Sequence, residues 1–313
     1  MIIIFAKILS VFSISLIGYA ANKLKWMPIE SNKYFSVLLI NISSPCLIIY
    51  SMSQQEMSEE TLTSVVQTAS LMLLALITAT VISIYIAKVF KFPQEDRGVY
   101  RALLVLTNNG FMGYPLSLAV FGEKGLFLMI VANAVFTIYL YSAGVMVLIS
   151  GKGGKLDLKS ALKSIFSIPV VSSVIGLLIF IFGIQIPSLL GNFLNTVGAI
   201  TIPLSMLIIG IQLAESKARE ILANKHLFIT LILKLILFPV LLFALLVWLP
   251  FRPLVFCIVI FAMAMPSAAV IPVLAEIYGS NAKLAAQVVF ITTMFSLITL
   301  PIFGILLTSY IGK

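Results

Sequence analysis

Asn108 and Asn109 stand side by side in "LTNNGFMGYPLSL", residues 106–118, followed at once by Gly110 and further on by Pro115. Side-chain amides donate and accept hydrogen bonds, so the pair can hold a carboxylate or a water without burying a charge. Glycine relaxes the backbone, while proline removes an amide hydrogen and clashes with the carbonyl one turn earlier. The stretch therefore cannot run as a regular helix. A second stretch, "AMAMPSAAVIPVLAEIYG", sets Met265, Pro266, Ser267 and Pro272 in a similar pattern, with the Ser267 hydroxyl and the carbonyl of Met265 as its polar groups. This is chemistry for holding a ligand. The chain has a single histidine, no metal-ligand spacing and no nucleophile elbow, and the glycines of "SGKGGK" miss the phosphate-loop pattern. No catalytic residue, metal or cofactor is expected. Cys46 and Cys257 fall in apolar runs and read as buried free thiols.

The elements that must position these residues are membrane helices. Of 313 residues, 61% are hydrophobic and 10% charged, too few charges to cover a soluble domain of this length. Ten apolar runs approach the roughly 20 residues needed to cross a bilayer: 2–20, 34–53, 62–90, 100–121, 125–149, 165–184, 193–214, 226–249, 254–278 and 284–309. The first lacks the basic cluster that precedes a cleaved signal, so it is expected to remain as a helix. Net charge is +9, and fifteen of the twenty basic residues fall in loops after odd-numbered runs, among them Lys23, Lys91, Arg97, Lys155 and Lys217. By the positive-inside rule those loops are cytoplasmic and both termini lie outside a plasma (inner) membrane. The charge reports topology, and no nucleic-acid partner is expected.

The longest polar interruption, residues 151–164, divides the runs five and five, giving a first repeat at 1–150, a linker, and a second repeat at 165–313. With an odd number of spans in each, the repeats are inverted. Landmarks recur in order: Gly18 with Gly176 and Pro45 with Pro203 at a spacing of 158 residues, then Pro93 with Pro250, Pro115 with Pro272 and Gly122 with Gly279 at 157. Chance supplies about one such match. The two broken stretches thereby fall at matching places, in the fourth and ninth spans.

Backbone groups freed inside hydrocarbon cost several kcal/mol each unless protein or a water-filled cavity satisfies them. Each half-helix that begins after a break also presents free amides and a partial positive charge of about half a unit, a seat for an anion. For the asparagines a second reading stays open, an interhelical hydrogen bond that only holds the bundle together. Around Pro45 and Pro203, the polar side chains of Asn41, Ser43, Ser44 and Thr201 either face the same cavity or accompany simple kinks. Asn133, Thr137 and Tyr141 recur every four residues as one polar stripe, either packing contact or cavity wall.

These motifs together resemble the auxin efflux carrier family: "NNGFMGYPL" followed by "VFG", "AMPSAAVIPVLAEIYG" and "SPCLI" in an all-α membrane protein of ten helices. The family includes plant auxin exporters and bacterial permeases assigned small carboxylates, and the resemblance covers the whole chain. It implies a fold related to the bile-acid sodium symporters, with a scaffold of spans one, two, six and seven and a transport domain of the other six. The fourth and ninth helices would cross at their prolines and dock a carboxylate. Asn108, Asn109, Gly110 and Pro115 would stand on one side, Met265, Pro266, Ser267 and Pro272 on the other, with Ser44 and Pro45 on the scaffold wall. The chain departs from the plant carriers in having Met265, Pro266 and Ser267 where they carry an asparagine-rich motif, and in lacking their large loop, which puts auxin itself in doubt. A homodimer follows by resemblance only.

Of the charged residues within runs, two bear on mechanism. Glu276 sits near the cytoplasmic end of the ninth, where it either snorkels to water or couples transport to an ion. Lys234 lies about eight residues into the eighth and either snorkels or draws an anion toward the site. The reading is a secondary carrier for small organic anions. Its competitors are a sodium-coupled symporter of the bile-acid type and a membrane sensor that binds a ligand without moving it.

Overall fold

The computed structural model describes residues 2–150, 166–214 and 225–311; the expected linker at 151–164 and the loop bearing Lys217 lie outside them. All regular secondary structure among the described residues is helical. In chain order we number α1 (Ile2–Lys23), α2 (Ser31–Ser53), α3 (Glu59–Val89), α4 (Arg97–Val105), α5 (109–121), α6 (123–149), α7 (Ile168–Ile181), α8 (Ser188–Ala214), α9 (Lys225–Leu246), α10 (Pro253–Ala264), α11 (Ile271–Ile277) and α12 (Ala282–Ile311).

Seven helical stretches among the described residues are long and apolar enough to cross a membrane. The sequence expects ten. The difference lies at three places: α4 and α10, which end at breaks after Val105 and Ala264; α7, only fourteen residues long; and 109–149, an apolar run interrupted at Gly122. Gly122 has φ of 70°, a conformation that glycine adopts without strain.

Local chemistry accounts for the element ends. The Ser58 side chain accepts a hydrogen bond from the Thr61 amide at 3.1 Å, capping α3, and Glu59 and Glu60 follow in its first turn beside the positive end of the helix dipole. Wide turns with one extra residue occur at Leu39–Ser43, Asn109–Gly113 and Leu233–Leu237, each ending two residues before a proline, Pro45, Pro115 and Pro239. The widening moves aside the carbonyl that each ring would otherwise strike. A fourth wide turn, Leu140–Gly144, has no such proline.

The helices pack in two groups. In one, α1 lies along α8, while α2 packs on α7 and α8. Glycine permits the closest of these approaches: a side chain at Gly18 would strike the backbone of Leu207, and one at Gly210 the backbone of Ser15. In the other group α3 packs on α4, on α10 and on residues 114–139, while α12 packs on α4, on α10 and on residues 114–139, which α10 also touches. Helix α10 lies inside that group, with every residue from Val255 to Met265 buried, which accounts for a sequence that is apolar on all faces.

Candidate functional site

The site begins where α4 and α10 stop. After Val105 and after Ala264 the chain turns extended, with ψ of 124° at Leu106 and 151° at Met265. The two extended segments cross antiparallel, Thr107 opposite Ser267. The Asn108 amide donates to the Pro266 carbonyl at 2.9 Å, and the Ala268 amide donates to the Leu106 carbonyl at 3.0 Å. Backbone groups that two broken helices would leave bare in a membrane are thus satisfied by each other.

Further donors close the carbonyl end of α4. The Ser267 hydroxyl donates to the Leu103 carbonyl at 2.7 Å, and the Lys234 ammonium donates to the Leu104 carbonyl at 2.9 Å. The Ser267 amide in turn donates to the Thr292 hydroxyl on α12 at 3.3 Å.

Beside the crossing lies a cavity of about 160 Å³, with Thr107, Asn108, Asn109 and Gly110 on one wall and Ala268, Ala269 and Val270 on another. Ser44, Tyr114, Asn133, Thr137, Tyr141 and Ser167 supply its other polar side chains. Asn109 is fully buried, and both the oxygen and the nitrogen of its amide lack a protein partner, as does the Thr107 hydroxyl. A buried amide left unpaired costs about 1–3 kcal/mol, so a group in this position is poised to take a ligand or water. At Gly110 a Cβ would meet open space, so the backbone there opens onto the cavity. Helix α5 starts at this wall and directs its positive end there.

The expected residues do not all meet at this place. Asn108, Asn109, Gly110 and Ser44 line the cavity, whereas Pro45, Pro115, Met265, Pro266 and Ser267 are not among its lining residues. Met265 and Ser267 are fully buried, and the Ser267 hydroxyl is spent on α4. Pro272 instead lines a separate cavity of about 290 Å³ with Gln212, Val289 and Thr293; Ala269 touches both cavities. Asn41 is exposed and lines neither. Thr201 is buried with an unpartnered hydroxyl, away from both walls. Glu276 is exposed near the end of α11, and Lys234 is fully buried, reaching neither surface.

The stripe of Asn133, Thr137 and Tyr141 lies entirely on the cavity wall, and Asn133 also donates from its amide to the Tyr114 hydroxyl at 2.7 Å. Tyr114 was not expected at the site. Its signal was its place directly before Pro115, where the first turn of a resumed helix faces the break.

A larger cavity, about 650 Å³, opens beside the starts of α3 and α10 among Glu56, Glu60, Lys124 and Arg252. Its charges are partly spent, because the Arg252 guanidinium pairs with Glu60 at 2.6 Å. The unpaired amide and the broken backbone are elsewhere, and the candidate site is the smaller cavity.

Known proteins resemble this chain along nearly its full length. A family model described as membrane transport protein matches residues 3–304. A protein of Methanocaldococcus jannaschii named as an uncharacterized transporter is 28% identical over 309 residues, covering 95% of this chain and 96% of the relative. Another uncharacterized transporter, from Methanothermobacter thermautotrophicus, is 26% identical over 306 residues, 96% of this chain and 97% of that protein.

Proposed function

The chain belongs to this membrane transport family, the auxin efflux carriers that its motifs resemble, and from that premise we propose a secondary carrier that moves small organic anions, with the substrate seated beside the crossing. The observation that carries the proposal is the Asn109 amide, buried and unpaired on a cavity wall where two broken helices meet. A carboxylate oxygen accepts from an amide nitrogen and from helix-terminal amides, so an anion would satisfy the Asn109 donor and the field of α5 together.

On this reading α4 with α5 is the fourth of ten spans, and α10 with α11 is the ninth. An inverted repeat is supported by backbone conformation as well as by sequence. Gly122 and Gly279, 157 residues apart, both have positive φ, and so do Lys25 and Gly183, 158 apart. The group of α1, α2, α7 and α8 would serve as scaffold and the other group would carry the site between the two sides of the membrane. The fifteen basic residues in sequence loops after odd-numbered spans support cytoplasmic loops there, with the termini outside a plasma membrane.

Uptake of labelled malate and related small carboxylates into proteoliposomes, under an imposed potential or pH gradient, tests the proposal. Flux that depends on the gradient and is lost in Asn108→Ala and Asn109→Ala is the expected result. Folded protein that moves none of these anions under any gradient overturns the anion assignment and favours a sensor.

A further inference from the structure

We propose that Lys234 is the charge through which membrane voltage acts on the empty carrier. The proposal rests on the carrier reading above and adds to it where the voltage is felt.

Among the described residues Lys234 is the one Lys, Arg, Asp or Glu whose side chain is buried. Its bond to the Leu104 carbonyl is the polar contact the structure gives it. Among the described residues no carboxylate pairs with it; the ion pair found there joins Arg252 to Glu60. What holds the ammonium is the last turn of α4, where carbonyls point along the helix and carry its partial negative charge. The wide turn Leu233–Leu237 lets the side chain reach that turn and packs against α4, α10 and α12. Lys234 therefore belongs to the group of helices that bears the crossing, and when that group moves, the protonated side chain carries with it a positive charge that no described carboxylate offsets.

The consequence depends on whether the site is occupied. Empty, the moving group carries the lysine's charge and a negative-inside potential draws it toward the cytoplasm. Loaded with a single negative charge, the group is nearly neutral and voltage hardly affects it. Voltage then resets the carrier for export by acting on the return step. A full elementary charge crossing the whole field shifts a two-state population about 50-fold per 100 mV, and crossing half the field shifts it only about 7-fold.

The test uses the intact protein in planar or giant proteoliposome membranes without any substrate. Voltage steps should evoke transient currents whose on and off charges are equal, with an apparent valence no greater than one. Lys234→Arg should keep them. Lys234→Gln, which retains a donor for the Leu104 carbonyl but no charge, should reduce the displaced charge at least about tenfold relative to an equal amount of monodisperse protein. Unchanged transients in Lys234→Gln, no transients in the wild type, or a valence above one would overturn the proposal. Absent wild-type transients, or a wild-type valence above one, overturn the proposal even where the glutamine variant fails to fold. Labelled-anion flux in the same membranes separates the two readings: flux without lysine-dependent transients leaves the carrier and removes the voltage role, whereas such transients without flux keep the voltage role and remove the anion.

Discussion

The two breaks cross at one point and are matched in sequence position, yet they do different work. In the 106–110 segment the backbone makes the crossing bonds and the side chains are left over: the Asn109 amide and the Thr107 hydroxyl have no protein partner. In the 265–269 segment little is left over. Ser267 gives its hydroxyl to Leu103 and its amide to Thr292, and the residues that follow it toward the cavity are alanines and a valine. One break leaves polar groups free and the other spends them on bracing α4. Two similar breaks thus share one backbone crossing while only one of them retains free polar side chains.

The sharpest way to break this contrast is to substitute each break in turn. Asn109→Ala should lower flux about 10- to 100-fold, the size of one lost hydrogen bond to a charged ligand. The same change should leave the thermal stability of the empty protein unchanged or raised, because it removes an unpaired buried amide. A drop in melting temperature together with the loss of flux would place Asn109 among the bracing residues instead. Ser267→Ala should do the reverse. With the Leu103 carbonyl left unpaired, unfolding by denaturant should cost about 1–3 kcal/mol less, and KM for the transported anion should stay near the wild-type value.

A smaller effect is expected from Gly110→Val, since a side chain there enters open space. It should raise KM several-fold with little loss of stability; an unfolded variant would show that the open space is needed by the fold. The smallest is Tyr114→Phe, which deletes the bond from Asn133 and should cost about 0.5–1.5 kcal/mol in thermal or chemical unfolding. A larger loss of flux than of stability would promote Tyr114 from wall to ligand contact.

Much of this was legible in the sequence because breaking a membrane helix requires residues that announce themselves. Pro115, Pro266 and the glycines near Asn109 locate both interruptions, and a spacing of about 157 residues sets them at matching places in the sequence. What the linear chain does not carry is direction. Ser267 and Asn109 are both small polar residues at a break, and nothing local says that one hydroxyl turns back to α4 while one amide stays free; that is decided by which carbonyls come within reach across 160 residues of chain. Lys234 is similar. Its depth was readable, but whether it ran to a surface or to a carbonyl depended on the wide turn beneath it. Asn41 shows the opposite error, a polar residue near a proline that faces outward.

The bonds that join the crossing segments run from peptide to peptide, Asn108 to Pro266 and Ala268 to Leu106. Such bonds are indifferent to side-chain identity, except where proline would remove a donor at 108 or 268. A lineage descended from such a protein could therefore exchange the side chains at 107–110 freely, adopting a new cargo one substitution at a time without disturbing the frame that presents it. Diversity of substrates within one architecture is then the natural outcome of building the meeting point from main chain.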